Sequence, residues 1–209
     1  MSELTVYSMD KASVGKVAVP KGLEAKANTA LLHQVVVAQQ TNLRQGNAKV
    51  KNRHEVRGST RKIYRQKGTG NARHGDIKAP LFVGGGRAFG PKPRDYEVVL
   101  PQKIRRAALR EAVSLRRAEG KLWVIDAFDF KEIKTKKAAQ VFKKFEIAGA
   151  LIVLEASNPN VEKSIRNLAG FKASRVEALN VLDILRFQHL VMTRKAYDHL
   201  ASRWNEVVV

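Results

Sequence analysis

The chain has no cysteine among its 209 residues. This absence excludes disulfides, thiol catalysis and cysteine-ligated zinc or iron–sulfur centres, and it suits a reducing compartment. The sequence does not begin with a basic segment followed by an apolar run, so we expect no signal peptide. Its longest apolar stretches, such as residues 35–38, are too short to cross a bilayer, so we expect no membrane partner.

Acidic residues are also scarce, because 19 Asp and Glu face 39 Lys and Arg, which gives a net charge of +20. Such an excess indicates a polyanionic partner, and nucleic acid is the first candidate. Residues 42–94 hold 14 of the basic side chains but only two acids, Glu55 and Asp76, so this segment alone carries +12. A solubilising surface charge explains the pattern less well, because solvated surfaces mix both signs.

The same segment contains nine of the 14 glycines and few apolar side chains. It cannot form a core of its own, and it far exceeds the dozen or so residues usual for an irregular loop. We therefore expect a basic arm at residues 47–94 that is mobile until a large polyanion orders it. As a hairpin with about 26 residues in each limb, the arm could reach at most roughly 85 Å.

The residues before the arm predict two strands and a helix. The strands are expected at Leu4–Met9 and Gly15–Val19, and the helix runs from Thr29 to about Gln45, with Asn28 as its cap and Gly46 at its end. His33 lies near the apolar face of this helix and is expected to be packed. The buried face is predicted to consist of Leu31, Leu32, Val35, Val36 and Leu43.

A second long helix is predicted between Pro101 and Gly120. Its apolar stripe has arginines on the other side, namely Arg105, Arg106, Arg110, Arg116 and Arg117. Short apolar strands then alternate with helices. The strands are expected at 122–125, 150–154, 176–179 (weaker) and His189–Met192; the helices run from Thr135 to Phe145, from Asn158 and Pro159 to about Leu168, over Val181–Leu185 as a short turn, and from Thr193 to about Trp204.

This alternation is typical of the α/β class, with a parallel sheet covered by helices. We predict one globular domain from residues 1–46 and 95–209, with the long extended basic loop inserted after the first long helix. His189, at the start of a buried strand, is expected to be a core group with a hydrogen-bond partner.

Signals of catalysis are weak. Gly68-Thr69-Gly70 would need a glycine at position 73 to complete a dinucleotide fingerprint, and that position is Arg73. The five histidines lack metal-ligand spacing. Asp126, Asp129 and Glu132 follow a predicted strand, but we interpret them as loop and cap residues because no nucleophile accompanies them. We expect no enzyme activity, no cofactor, no metal and no small-molecule substrate.

The arm suits RNA chemically. Lysine and arginine neutralise phosphates, glycines allow close backbone approach, and the aromatic rings of Tyr64, Phe82, Phe89 and Tyr96 can stack on unpaired bases. His54 and His74 suit phosphate or base contacts. The candidate RNA-binding residues are Arg44, Lys49, Lys51, Arg53, Arg57, Arg61, Lys62, Tyr64, Arg65, Lys67, Arg73, His74, Lys78, Phe82, Arg87, Phe89, Lys92 and Arg94.

Three motifs in the arm resemble one family. Residues 65–75 (RQKGTGNARHG), 79–86 (APLFVGGG) and 89–96 (FGPKPRDY) are similar in order and spacing to the arm signature of the bacterial large-subunit ribosomal protein four family. The helix at 101–119, the strand at 121–126, the Thr135-Lys136 helix start and the Val191-Met192-Thr193 stretch also resemble the family.

The resemblance implies a structural protein of the large ribosomal subunit, located in the cytoplasm within the ribosome. It implies primary binding to large-subunit rRNA early in assembly, contacts with neighbouring large-subunit proteins, and an arm whose tip lines the exit tunnel beside the nascent peptide. The tip segment falls on roughly Lys62 to His74. Its central residues are Arg65, Gln66, Lys67, Gly68, Thr69, Gly70 and Asn71.

The sequence departs from the family pattern at three positions. Asn71 replaces the usual Arg, Ile63 a common Pro, and Asp76 a common Ser. Some members also repress their own operon by binding the messenger leader, and this secondary role stays open here. Two other classes remain as alternatives: another basic nucleic-acid-binding protein, such as a DNA-binding module, and an α/β enzyme with a basic lid.

Overall fold

A computed structural model describes residues 3–23, 27–128, 130 and 132–205. Asp129 lies outside these residues. The described part holds six strands and six α-helices, with 3-10 turns at Lys21–Leu23 and Val176–Ala178. Their bounds are β1 Glu3–Tyr7, β2 Ser13–Ala18, α1 Thr29–Asn42, α2 Gln102–Ala118, β3 Leu122–Ile125, α3 Thr135–Lys144, β4 Ala150–Leu154, α4 Pro159–Arg166, β5 Phe171–Arg175, α5 Val181–Arg186, β6 His189–Thr193 and α6 Arg194–Asn205.

All six strands form one sheet in the order β2-β1-β3-β6-β4-β5. Five of them run parallel, but β2 pairs antiparallel with β1. The predicted α/β class with a parallel sheet is therefore confirmed in its main part, and the all-parallel expectation is wrong at β2. The cause is the short connection between β1 and β2, which permits a hairpin but leaves no room for a crossover helix.

The sheet is covered on both faces because its inner strands bury alternate side chains on opposite sides. Leu151 and Val153 of β4 pack into one cluster with residues of α1, α2, α5 and α6. Ala150, Ile152 and Leu154 of the same strand pack into a second cluster with α3 and α4. Strands with two apolar faces thus specify a three-layer arrangement of helix, sheet and helix.

Several helix ends follow the predicted local rules. The Asn28 side chain accepts hydrogen bonds from the Ala30 and Leu31 amides at 3.1 and 3.3 Å. Asn158 caps α4, and the Thr193 hydroxyl accepts from the Ala196 amide at 3.3 Å. Thr135 does not cap α3, because it is the first helical residue and Lys134 occupies the cap position.

The predicted strand at 176–179 is wrong. Its first residues form the 3-10 turn, and β5 lies one segment earlier, where three of the five residues are polar. As an edge strand, β5 needs fewer apolar side chains than the inner strands do. Helix α1 also ends earlier than predicted, at Asn42, so Leu43 is exposed instead of buried. His33 points to solvent, contrary to the expected packing.

Arg116 was expected on the solvent side of α2, but it is buried. Its guanidinium donates to the carbonyl oxygens of Ile184, Leu185 and Phe187 at 2.8–3.0 Å, and to the Glu119 carboxylate at 2.8 Å. The last carbonyls of a helix lack partners within that helix. The buried guanidinium of Arg116 on α2 therefore donates hydrogen bonds to the carbonyls at the C-terminal end of α5.

The chain divides into two compact units. One comprises residues 1–39 and 99–209, and the other comprises residues 40–98. All buried apolar side chains of the described residues belong to the first unit. No helix in the described ranges is both long enough and apolar enough to cross a membrane.

His189 accepts a hydrogen bond through Nδ1 from the indole Nε1 of Trp123, at 3.3 Å. Burial is the main cause that lowers the pKa of His189, and the nearby charges of Lys121 and Arg116 lower it further. The expected hydrogen-bond partner is thus confirmed, but His189 is only half-buried and lies at the margin of the core. Only the neutral ring keeps a lone pair on Nδ1 for Trp123.

We predict that this pair makes stability depend on pH. The folded pKa of His189 lies below its unfolded value of about 6.5, so the unfolded chain takes up the proton first as the pH falls. The contribution of this pair to the free energy of unfolding is complete above about pH 7 and decreases as the pH falls through about 6.5. Urea unfolding followed by circular dichroism should show this loss as the pH falls through about 6.5, and His189→Gln should reduce it. His33→Gln, at an exposed histidine, should retain the full loss; equal slopes in both variants would refute the assignment.

Candidate nucleic-acid interface

Residues 40–98 form an irregular hairpin, which contains the predicted arm at 47–94 and is itself called the arm below. Across its two limbs, backbone amides of Val50, Ile63, Arg87 and Arg94 donate to carbonyls of the opposite limb at 2.9–3.3 Å. The partner carbonyls belong to Pro91, Gly75, Lys51 and Gly46, respectively. No helix or strand forms within residues 43–98, all of which the structure describes. The limbs are therefore held in register by a few separate hydrogen bonds and not by a continuous ladder.

The hairpin reverses direction around residues 65–71. The Arg65 guanidinium donates to the Gly68 carbonyl at 2.8 Å. The Lys62 ammonium donates to the Gln66 side chain at 2.8 Å and to the His74 carbonyl at 3.1 Å. Two of the cations near the tip thus hold the turn itself. In the described part of the chain, Lys67 forms no ion pair or hydrogen bond through its side chain, which is exposed.

Midway along the arm, a buried carboxylate joins the limbs. Asp76 is only 6% exposed and accepts a hydrogen bond from Arg53 at 3.0 Å, while its Oδ1 atom has no partner. Gly86 lies so close to the opposite limb that a Cβ there would come within 2.2 Å of the Arg53 nitrogen. Lys78, predicted to contact RNA, is buried as well, with its stem against Gly58.

The aromatic candidates fall into two groups. The Tyr64 hydroxyl donates to the Ala72 carbonyl, and its ring meets His74 edge-on. His74 in turn meets Phe82, with ring centroids 5.0 Å apart. These three rings pack against each other inside the arm. Phe89 is fully exposed, so it presents a free ring face for stacking.

At the base of the arm, Tyr96 holds two arginines. The guanidinium carbons of Arg44 and Arg94 lie 4.1 and 4.4 Å from the centre of its ring. A hydrogen bond from Arg94 is the largest cause of the lowered pKa of Tyr96, and the charges of both arginines add to it. Gly46 has a φ of +70° and lies against the Arg94 carbonyl, where a Cβ would come within 2.0 Å. The Tyr96 clamp, defined as Arg44, Tyr96 and Arg94, therefore presents two oriented cations.

The other predicted cations of the arm are exposed. Lys49 forms an ion pair with Glu55 at 2.8 Å, which leaves one face of its charge neutralised. The remaining exposed cations are Lys51, Arg57, Arg61, Arg73, Arg87 and Lys92. Asn71 and Ile63, two of the departures from the family pattern, are exposed near the tip as well.

The sequence indicated the cations but not the roles of their neighbours. Tyr96 was counted only as a stacking ring, although it orients Arg44 and Arg94. The ion pair of Arg53 with Asp76 was missed too. Its signal was visible, since Asp76 is one of only two acids in residues 42–94.

The residues that the structure describes show little sign of a metal site or a catalytic site. They contain no group of three or more histidine, aspartate or glutamate side chains arranged to hold a metal. Glu132 pairs with Lys134, and Asp126 lies 4.0 Å from Arg194. These loop carboxylates have cationic neighbours that belong to the same unit. The cations of the arm are thus the main chemical feature of the surface.

Comparison with known proteins identifies the class. The model of the ribosomal protein L4/L1 family matches residues 17–203. A protein of Desulfatibacillum aliphaticivorans named large ribosomal subunit protein uL4 is 44% identical over 97% of this chain and 99% of its own length. The protein of the same name from Desulforudis audaxviator is 43% identical over 94% of this chain and 96% of its own length.

The chain belongs to the ribosomal protein L4/L1 family. The resemblance seen in the arm motifs is therefore confirmed over nearly the whole sequence. The family consists of structural proteins of the ribosome, so the expectation that the chain is not an enzyme is confirmed by its membership. The alternative of an α/β enzyme with a basic lid is thereby excluded.

We predict that the ion pair of Arg53 with Asp76 stabilises the pairing of the limbs. Arg53→Ala leaves a buried carboxylate with no partner, which costs about 1–3 kcal/mol. The Gly86 and Arg87 amides, which donate to Lys78 and Lys51, should then exchange their hydrogen about 5 to 150 times faster. Lys49→Ala is the matched control, because the exposed pair of Lys49 with Glu55 contributes at most about 1 kcal/mol. Equal exchange in the two variants would contradict the prediction.

Proposed function

We propose that this chain is a structural protein of the large ribosomal subunit whose arm binds large-subunit rRNA. Family membership supports the ribosomal role, which is carried out in the cytoplasm within the ribosome. The observation that carries RNA binding by the arm is its charge. Residues 42–94 carry +12, and nearly all of their cations are exposed. Neighbouring proteins of the large subunit are the second class of partner.

The arm has the composition of an RNA-binding segment and not that of a protein core. Its cations repel each other, and a dense array of phosphates can neutralise many of them together. Its glycines allow the backbone to approach a neighbouring chain closely, and the exposed ring of Phe89 can stack on an unpaired base. Binding at many points along the arm supports an early role in assembly, because rRNA can then fold around it.

The tip carries the finer part of the proposal, in which residues 65–71 line the peptide exit tunnel and face the nascent peptide. Arg65 holds the turn through the Gly68 carbonyl, so the tip keeps a defined shape. Lys67, whose side chain is exposed, can then contact phosphate or peptide. Asn71, where the family usually has arginine, lowers the charge at this point by one.

The Tyr96 clamp gives a test of RNA binding by the arm. We predict that Tyr96→Leu weakens binding to large-subunit rRNA about tenfold without changing the salt dependence, because both charges stay but lose their orientation. Replacing Arg44 and Arg94 by Gln should flatten the slope of log affinity against log salt by about 1.4–1.8. Filter binding over a salt series measures both quantities, with excess duplex DNA as competitor.

The control is the double change Arg57→Gln and Arg61→Gln, which removes two exposed cations that no ring holds. It should flatten the salt slope equally but reduce affinity less. Parent-like affinity of Tyr96→Leu would show that the clamp does not orient its arginines for RNA. Equal competition by duplex DNA would favour the alternative of a general nucleic-acid-binding protein.

The tip proposal has its own test. We predict that ribosomes with a photocrosslinking amino acid at position 67 react with nascent peptides, whereas the same group at position 92 reacts only with rRNA. Lys92 is the matched control, since it is an exposed lysine of the same arm near its base. Both variants should assemble into subunits in sucrose gradients, because one contact among many is lost. Nascent-peptide crosslinks from both positions, or from neither, would refute the tip assignment.

A further inference from the structure

A cleft of about 350 Å³ opens on the unit formed by residues 1–39 and 99–209. Helix α1 contributes Val35 and Gln39 to its lining, and α2 contributes Gln102 and Leu109. The segment that enters α5 contributes Asn180. Every residue that lines the cleft belongs to this unit.

The rim of the cleft carries positive charge. Arg105 and Arg106 both line it, and both are exposed. Among the described residues that line the cleft, none is acidic. Neither guanidinium forms an ion pair or hydrogen bond within the part of the chain that the structure describes. The two side chains therefore keep their full capacity to bind an anion.

Four of the nine residues that line the cleft are apolar, namely Val35, Leu109, Leu179 and Val181, and together they are called its apolar floor. The Gln39 side chain accepts a hydrogen bond through Oε1 from the Leu182 amide at 3.0 Å, so its Nε2 group remains to bind a ligand.

Two further amides line the cleft, but only one is available. Asn180 is occupied on both sides by Asp183, at 2.7 and 2.9 Å. Gln102 contributes the second amide that can bind a ligand, after Gln39.

We propose that this cleft holds one unstacked nucleotide of an RNA strand. The flat base lies on the apolar floor, its edge meets the amides of Gln39 and Gln102, and its phosphate meets Arg105 and Arg106. A volume of about 350 Å³ is at the lower end for small-ligand sites. It accommodates one nucleotide and excludes a duplex, and unpaired bases are the part of RNA that proteins read by stacking and amide contacts.

The inference rests on the proposed RNA-binding function and extends it to residues outside the arm. A bare phosphate would leave the apolar floor uncovered, and an acidic peptide would offer no flat ring to it. Arginine can also stack its guanidinium plane on a base, which adds to the phosphate contact. The chemistry thus favours a nucleotide over either of these smaller or less planar ligands.

The first test measures affinity. Replacing Arg105 and Arg106 by Gln in the full chain should weaken binding to large-subunit rRNA about tenfold and flatten the salt slope by about 1.4. The matched control replaces Lys136 and Lys137 by Gln; these are also two exposed, consecutive cations on a helix, α3. The control should keep the parent affinity and slope. If both double variants bind equally, the cleft makes no specific contact.

The second test identifies the ligand. Large-subunit rRNA substituted with 4-thiouridine is irradiated with the full chain, and the crosslinked peptides are located by mass spectrometry. We expect crosslinks within α1 and α2 beside those in the arm, and their loss when Gln39 is replaced by Leu. Crosslinks confined to residues 40–98 would overturn the cleft inference while leaving RNA binding by the arm intact. Absence of any rRNA binding would overturn the proposed function itself.

A third experiment distinguishes a nucleotide of rRNA from a free nucleotide. Free 4-thiouridine monophosphate is irradiated with the full chain under the same conditions. We expect little crosslinking, because a free nucleotide lacks the chain that the arm holds in place. Crosslinks at α1 and α2 from the free nucleotide, without any from rRNA, would assign the cleft to a small molecule and overturn the inference.

Discussion

Mutual repulsion among the cations of residues 40–98 is the constraint on which the rest of this protein depends. The segment holds 14 lysines and arginines but only four acids, and two ion pairs, Arg53 with Asp76 and Lys49 with Glu55, use part of that charge. None of its apolar side chains is buried. Its shape therefore depends on local polar contacts, such as those of Arg65 with Gly68, and its remaining charge calls for a polyanion.

The unit formed by residues 1–39 and 99–209 is stabilised by burial of apolar side chains and not by local polar contacts. Its sheet is stabilised by apolar side chains on both faces, and the buried cation Arg116 has all its bonds supplied by carbonyls and Glu119. Stability and binding are thus assigned to different residues of one chain. A change in the charge of the arm can alter affinity for RNA without removing any side chain from the core, which is why binding and folding can be measured separately in variants.

Local rules predicted this fold well wherever one pattern acted alone. Alternating strands and helices gave the α/β class, and Asn28, Asn158 and Thr193 gave three helix starts. The predictions were wrong where the position in the sheet decided the outcome. An edge strand such as β5 tolerates polar residues, so its sequence resembled a loop, while the more apolar segment after it forms only a short turn.

The sequence by itself determined the family, the two layers of helices and the location of the charge, because these follow from periodicity, composition and motif spacing. Only the tertiary structure decided which cations are available. Arg53, Arg65 and Lys78 are used within the arm, whereas Lys67 is exposed. It also decided that Val35, Gln39, Arg105 and Asn180 share one cleft. Such groupings bring together residues that are far apart in the sequence. A local sequence pattern therefore cannot predict which of their side chains meet.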